Sequence, residues 1–333
     1  MNDQRSNNNS QLKDTFGRKF YYLRLSITDL CNFRCNYCLP DGCGHIKPNY
    51  ISINEIKNLC TAFAELGMNK IRLTGGEPTL RKDFIEIVKV INSINNINTI
   101  ALTTNAYKLE KYALDYVAAG ITNINISMDS LDQDIFKEIT GHDKLKSVKS
   151  GIQAVIDAGC KNIKINAVLL KGYNSHTLND FLYWIKDKHI SVRFIELMQT
   201  GTNKAYFDKH HVSASFIENS LLKENWTIAK RQINSGPAIE YEHKEYKGKI
   251  GIIAPYSPGF CDSCNRLRVS SQGELYLCLF AELGYSLRSL MQNENQKETL
   301  KNAISKVLLM KERSHDLLNG KYGNNQHFAA IGG

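Results

Sequence analysis

Between residues 21 and 196 short apolar segments alternate six times with amphipathic ones, and no other feature of the chain narrows its fold as much. The strand-like segments are 21–27, 70–73, 99–103, 123–127, 162–170 and 192–196. Helical spacing of apolar residues marks 54–66, 83–94, 109–119, 147–158 and 177–187. Gly67, Gly120 and Gly159 stand where three of these helices would end. Repeated strand–helix units imply a parallel sheet flanked by helices, and right-handed crossovers curl such a sheet toward a barrel. Six units fall short of the closed eight-stranded form. The expected fold is therefore α/β, an incomplete (βα)6 partial TIM-type barrel, with functional residues at the C-terminal ends of its strands. After Gln199 the alternation stops: residues 200–235 are polar, and extended segments follow near 239–246 and 249–253. The expected division is a flexible N-terminal tail over 1–15, the barrel over 16–199, and a C-terminal α+β extension over 200–333.

The chain has nine cysteines, six of them in two tight groups. That usage belongs to metal sites rather than to a disulfide framework, and it fits a reducing compartment. Cys60 lies on the apolar face of the helix at 54–66 and reads as a buried structural thiol; Cys43 and Cys160 receive no role. The first ten residues are polar, without the apolar stretch of a signal peptide. No apolar run approaches the roughly 18 residues that cross a bilayer, so a cytoplasmic location with no membrane partner is expected. The formal charge of +9 suits either nucleic acid or a small polyanion. No lysine–arginine block or nucleic-acid-binding motif accompanies it, and no nucleic-acid partner is expected.

The first cysteine group is Cys31, Cys35 and Cys38. Three thiolates on one loop hold three irons of a four-iron cluster and leave the fourth open for chemistry. Zinc, which usually takes four ligands, or disulfide pairing are the blander alternatives. Gly75-Gly76-Glu77-Pro78 follows the second strand; its glycines permit close backbone approach to a ligand, and Glu77 offers an acceptor for an ammonium group. Thr103-Thr104-Asn105 and Ser127-Met128-Asp129-Ser130 bring hydroxyls to the next two strand ends, where they suit a nucleotide-like ligand and helix capping equally. This spacing and these segments resemble the radical S-adenosylmethionine (SAM) enzymes. The resemblance implies SAM on the open iron, its amino group held by Gly76 and Glu77, with Tyr37, Ser127 and Met198 completing its site.

Cys261, Cys264 and Cys278 form the second group, again leaving one iron open, which suits a substrate site better than an electron relay. Arg266 and Arg268 follow closely and bring fixed charge and bidentate donors to its edge. The chain ends Ile331-Gly332-Gly333, slim enough to thread a narrow pocket. From about Phe16 to Gly333 the whole resembles the GTP-cyclising radical SAM enzymes of molybdenum cofactor biosynthesis, the molybdenum cofactor biosynthesis protein A family. The resemblance implies two 4Fe-4S clusters on the six cysteines, and SAM as cosubstrate. It implies conversion of GTP to (8S)-3′,8-cyclo-7,8-dihydroguanosine 5′-triphosphate, a 5′-deoxyadenosyl radical taking the ribose 3′ hydrogen and the C3′ radical attacking guanine C8. It implies GTP contacts from Arg24, Lys70, Arg72, Thr103, Lys164, Arg266, Leu267 and Arg268, and catalytic parts for Arg266, Arg268, Gly332 and Gly333. An external electron donor such as flavodoxin or ferredoxin, a cyclic pyranopterin monophosphate synthase that uses the product, and a monomer or homodimer also follow from it.

Two other readings stand beside this one. A radical SAM enzyme acting on a peptide would usually bring more auxiliary cysteines and lack the arginine pair and the diglycine end. A non-enzymatic iron–sulfur electron carrier would have no use for two open irons. One departure from the family pattern is Ala106, which stands where a glycine often follows Thr-Thr-Asn.

Overall fold

Along each strand of the repeating segment, apolar and polar residues alternate, so one face of the sheet is apolar and the other polar. The computed structural model describes residues 11–43, 49–231, 235–323 and 331–332. Its strands in the repeating segment are β1 (Tyr22–Ser26), β2 (Lys70–Thr74), β3 (Thr99–Thr104), β4 (Asn123–Ser127), β5 (Asn162–Leu169) and β6 (Ile190–Glu196). Between them run α1 (Ile53–Glu65), α2 (Phe84–Asn92), α3 (Leu109–Ala119), α4 (Gln133–Thr140) with α5 (Leu145–Asp157), and α6 (Leu178–Ile185). Leu23, Leu25, Ile71, Leu73, Ile100, Leu102, Ile124, Ile126, Ile163, Ile165, Val192 and Phe194 all belong to one buried cluster with the helices. Each such burial contributes on the order of 1.5–3 kcal/mol, and a charge at any of them would break the layer.

Six strands were expected, and the C-terminal region supplies more to the same sheet. It contains α7 (Lys204–His210), α8 (Ser215–Lys223), β7 (Thr227–Ile228), β8 (Ile239–Glu242), β9 (Lys249–Ile253), β10 (Arg266–Val269), β11 (Glu274–Tyr276), β12 (Tyr285–Ser286) and α9 (Lys297–Leu308). The sheet order is β12-β11-β10-β1-β2-β3-β4-β5-β6-β9-β8-β7. β9 pairs in parallel with β6, and β10 in parallel with β1, so eight parallel strands stand side by side, six from the repeating segment plus these two. The outer neighbours of β9 and β10 are the antiparallel strands β8 and β11, so the barrel stays open along that seam. Residue 200 thus marks the end of the strand–helix alternation, while the sheet itself runs on across it.

Two local features fix the C-terminal part in place. α1 opens with a capping box: the Ser52 hydroxyl accepts from the Glu55 N–H at 3.2 Å, and Glu55 accepts from the Ser52 N–H at 2.7 Å. The other Glu55 oxygen takes Arg288 at 2.9 Å, and Glu65 takes Lys297 at 2.6 Å and Lys301 at 3.0 Å. Within the expected tail of 1–15, Leu12 and Asp14 are held against the domain. Leu12 is buried, donating to the Leu66 carbonyl at 3.2 Å and accepting from the Phe20 N–H at 3.0 Å, and Asp14 pairs with Arg18 at 2.6 Å. One apolar side chain with a slot to fill anchors an otherwise polar stretch; residues 1–10 of the expected tail lie outside the described residues. Among the described residues, no helix is long and apolar enough to cross a membrane.

Candidate active site

The polar faces of the strands line up in register across the barrel interior. Arg266, Tyr22, Lys70 and Thr99 form one row, and Arg268, Arg24, Arg72, Ala101, Asn123 and Asn162 the next. Above them run Thr103, Asn125, Lys164 and Ser191, then Ser127, Asn166 and Arg193. An ordinary TIM barrel fills this space with packed apolar side chains. Here it holds two cavities that share a wall of Asn166, Ile195, Met198 and Leu279.

The first cavity, about 200 Å³, is lined by Cys31, Cys35, Cys38, Tyr37, Gly75, Gly76, Thr103, Ser127 and Asp129 among others. Gly75 and Gly76 are required where they stand. A Cβ on Gly75, which has φ +140°, would fall 2.1 Å from the Thr28 carbonyl oxygen, and one on Gly76 would fall 2.3 Å from that of Leu30. Tyr37 donates its hydroxyl to Asp129 at 3.0 Å, and Asp129 also accepts from the Val168 N–H at 2.8 Å. Burial raises Asp129 to about 6, against the pull of those two hydrogen bonds. Burial likewise pushes Cys31 up to about 11 and, helped by the charge of Asp129 and the neighbouring thiols, raises Cys35 well above the usual thiol range. The Cys31 N–H also donates to the sulfur of Cys43 at 2.9 Å, which places that extra thiol on the backbone of the cysteine loop.

The second cavity, about 470 Å³, is lined by Arg24, Lys70, Arg72, Lys164, Arg193, Arg266 and Arg268, with Cys261, Cys264 and Cys278 on the far wall. No carboxylate lines it among the described residues. Glu240 stands behind the β5–β6 side, 2.6 Å from Arg193 and 3.4 Å from Lys164. Burial and then Arg193 bring Lys164 down to about 8 despite that partner. The Oδ1 atoms of Asn125 and Asn166 and the hydroxyl of Ser191 are buried without a protein partner among the described residues. Such groups are costly unless a ligand or water satisfies them. Gly332 ties down two of these cations: its carbonyl accepts from Arg24 Nε at 2.9 Å and from Arg268, which also reaches the Ile331 carbonyl at 3.2 Å. At φ +69°, a Cβ on Gly332 would lie 2.1 Å from Thr74 Cγ2. Gly333 lies outside the described residues.

Among the described residues no group of three His, Cys, Asp or Glu side chains closes on a single ion; each cysteine triplet lines a cavity instead. The donor sets fit iron–sulfur clusters. Buried thiols such as Cys31 and Cys35 become thiolates when a polycationic centre lies among them. In the second triplet Cys264 is lowered, Arg266 and Lys311 outweighing its burial, whereas burial raises Cys261.

Three expected site residues stand elsewhere. Glu77 does not face the first cavity. It is buried, with Oε1 accepting from the Thr79 N–H, the Thr79 hydroxyl and the Thr104 hydroxyl at 3.1, 2.6 and 2.8 Å, and Oε2 from the Asn105 N–H at 2.7 Å. A buried carboxylate needs its lone pairs filled, and this one staples two strand ends together rather than awaiting an ammonium group. Leu267 sits between Arg266 and Arg268 on β10 and therefore points the opposite way, into the helix-side core. Thr103 lines the first cavity and reaches the second only through Arg72, whose Nη1 donates to its hydroxyl at 3.2 Å. Conversely, Tyr22, Asn125, Asn166 and Arg193 were not singled out from the sequence, although each is an inward position of an alternating strand.

Two family models match the chain: residues 25–185 fit the Radical SAM superfamily, and residues 190–317 fit Molybdenum Cofactor Synthesis C. Over 326 residues the chain is 48% identical to the GTP 3′,8-cyclase of Vibrio parahaemolyticus, covering 97% of this chain and 98% of that one. It is 50% identical to the GTP 3′,8-cyclase of Psychromonas ingrahamii, with 98% and 97% of the two chains covered. Among solved structures, SuiB of Streptococcus suis bound to S-adenosylmethionine shares the fold with a TM-score of 0.61, covering 92% of this chain and 76% of that one at 13% identity.

Proposed function

We propose how two cavities divide the work of one reaction, from the premise that the chain belongs to the GTP 3′,8-cyclase family, radical SAM enzymes of molybdenum cofactor biosynthesis. The observation that carries this division is the shared wall: a cysteine triplet lines the cavity on each side of it. With SAM and an iron–sulfur cluster bound at Cys31, Cys35 and Cys38, the first cavity supplies one-electron cleavage of SAM to the 5′-deoxyadenosyl radical.

The rest falls to the chain's own residues. Gly75 and Gly76 let the backbone close on SAM, Tyr37 and Ser127 orient its nucleoside, and Met198 stands on the shared wall where SAM and GTP meet. Arg24, Lys70, Arg72, Lys164 and Arg193 take the triphosphate, whose charge suits a chamber lined by cations. Arg266 and Arg268 fix the nucleotide against the second triplet, where Cys261, Cys264 and Cys278 hold a second 4Fe-4S cluster for the guanine. Anchored at both ends, the ribose lies beside the shared wall with its 3′ hydrogen toward the first cavity, a proximity effect that accounts for much of such a rate. The inserted Gly332 keeps Arg24 and Arg268 turned inward. An external donor such as flavodoxin or ferredoxin provides the electron, and a cyclic pyranopterin monophosphate synthase takes the product.

The test is anaerobic reconstitution with SAM and reductant, adding each nucleoside triphosphate in turn and measuring 5′-deoxyadenosine. A large rise with GTP alone, matched by loss of GTP, is expected. SAM cleavage indifferent to GTP would overturn the assignment of the second cavity and point to another substrate.

A further inference from the structure

Tyr22 lies on the floor of the cationic cavity and has no part in the reading above. It is 4% exposed and points inward from β1. Its hydroxyl oxygen accepts from Arg72 Nε at 2.5 Å and from Arg24 Nη1 at 3.5 Å, and Lys70 Nζ stands 4.8 Å from the centre of its ring. In register it falls between Arg266 and Lys70. On the β5–β6 side of the chamber, Glu240 offsets Lys164 and Arg193. On the β1–β2 side, the phenol oxygen accepts from both Arg72 and Arg24.

We propose that Tyr22 is the resident counter-ion of the triphosphate subsite: it holds Arg72 and Arg24 in position while the chamber is empty and yields them to phosphate oxygens when GTP binds, taking up a proton as it does so. The inference deepens the assignment of the second cavity and rests on it. The proton comes from solvent to the Tyr22 oxygen, and no bond of GTP changes. Electrostatics support the exchange. Burial alone would raise the phenol, but Arg72, Arg24 and Lys70, with the hydrogen bond from Arg72, bring it down to about 6. Arg193 from β6 and Arg268 from β10 also act on it, and Arg266 neighbours it in the sheet. Once a polyanion re-pairs these cations, the phenolate loses the field that stabilised it and returns toward the usual value near 10. The bound state then holds the extra proton, so GTP affinity weakens as pH rises from about 6 toward 10. Lys164 gains a proton on GTP binding for the same reason, so Tyr22 is isolated as the difference between wild type and Tyr22→Phe.

The experiment is calorimetric titration of GTP into anaerobically reconstituted enzyme near pH 7.5, in two buffers of different protonation enthalpy. Phe keeps the ring face for Lys70. Wild type should take up about half to one proton more than Y22F. Without a phenolate to protonate before its cations are released, the variant should show a GTP KM lowered by up to about tenfold at pH 7.5, with kcat for 5′-deoxyadenosine within about twofold. Equal proton uptake, or an unchanged KM with a reduced kcat, would overturn the proposal. If Y22F fails to load iron, Tyr22→3-fluorotyrosine replaces it. The more acidic phenol should move the pH dependence of GTP affinity downward, and an unmoved profile would refute the role. Arg72→Ala separates the two readings. Normal GTP affinity in that variant would sink the triphosphate assignment itself; weakened affinity beside a wild-type-like Y22F sinks only the counter-ion.

Discussion

The two cavities each carry three cysteines, in different spacing and in different electrostatic settings. In the first, burial and Asp129 raise Cys35, and the neighbouring carboxylate Glu77 is spent on internal hydrogen bonds. In the second, Arg266, Lys311 and Arg18 lower Cys264, and seven arginines and lysines line the walls. A sulfonium with an amino-acid head suits a nearly neutral cavity with backbone access; a nucleoside triphosphate needs the cationic one. The cysteine motif therefore says that a cluster is held, and the rows of strand residues around it say what the cluster meets.

The sharpest break of this comparison is by cysteine. Replacing Cys31, Cys35 or Cys38 with Ala should abolish 5′-deoxyadenosine formation and remove about half of the iron. Replacing Cys261, Cys264 or Cys278 should remove a similar share yet leave SAM cleavage that no longer responds to GTP. Iron assay and product chromatography decide; equal loss of SAM cleavage from both triplets would end the division of labour. Next comes the tail. Deleting Gly332 and Gly333, or replacing Arg268 with Gln, should lower GTP turnover by about 10²-fold, the scale of a lost transition-state contact, with SAM affinity unchanged. A shift in the SAM KM instead would place the tail's effect in the wrong cavity. A smaller effect distinguishes the cavities by pH. Lys164, brought down to about 8, loses its charge as pH rises through that value, so the GTP KM should climb there while the SAM KM does not. Lys164→Arg should remove the step near pH 8 and leave the share of the pH dependence that belongs to Tyr22. The smallest expected change is a gain: Glu240→Gln frees Lys164 and Arg193 and should lower the GTP KM by about two- to fivefold, as befits ion pairs of a carboxylate still partly exposed. A raised KM would mean that Glu240 positions those cations rather than competing for them.

Much of this was legible in the sequence, and the misses have physical causes. The six strands and five of the helices could be read because apolar spacing is a local signal; α3 and β4 match their expected limits of 109–119 and 123–127. That β10 joins β1 is not local, since their residues are more than two hundred positions apart and only three-dimensional packing pairs them. Glu77 was misread because burial, which no motif announces, commits both its oxygens. Leu267 was misread because a motif was taken as a continuous string where a strand turns alternate residues to opposite faces. The same alternation would have found Tyr22 and Arg193. Ala106 was noted as a departure, and the backbone explains the family's glycine: its φ is +64°, a left-handed conformation.

The row Arg268–Arg24–Arg72 has a consequence beyond recognition. Neighbouring strands stand about 4.8 Å apart, and like charges at that spacing repel, so the empty barrel works against its own cohesion. A ligand that binds only the folded chain adds RT ln(1 + [L]/Kd), about 2.7 kcal/mol at a hundredfold excess. The nucleotide is thereby a folding partner as well as a reactant.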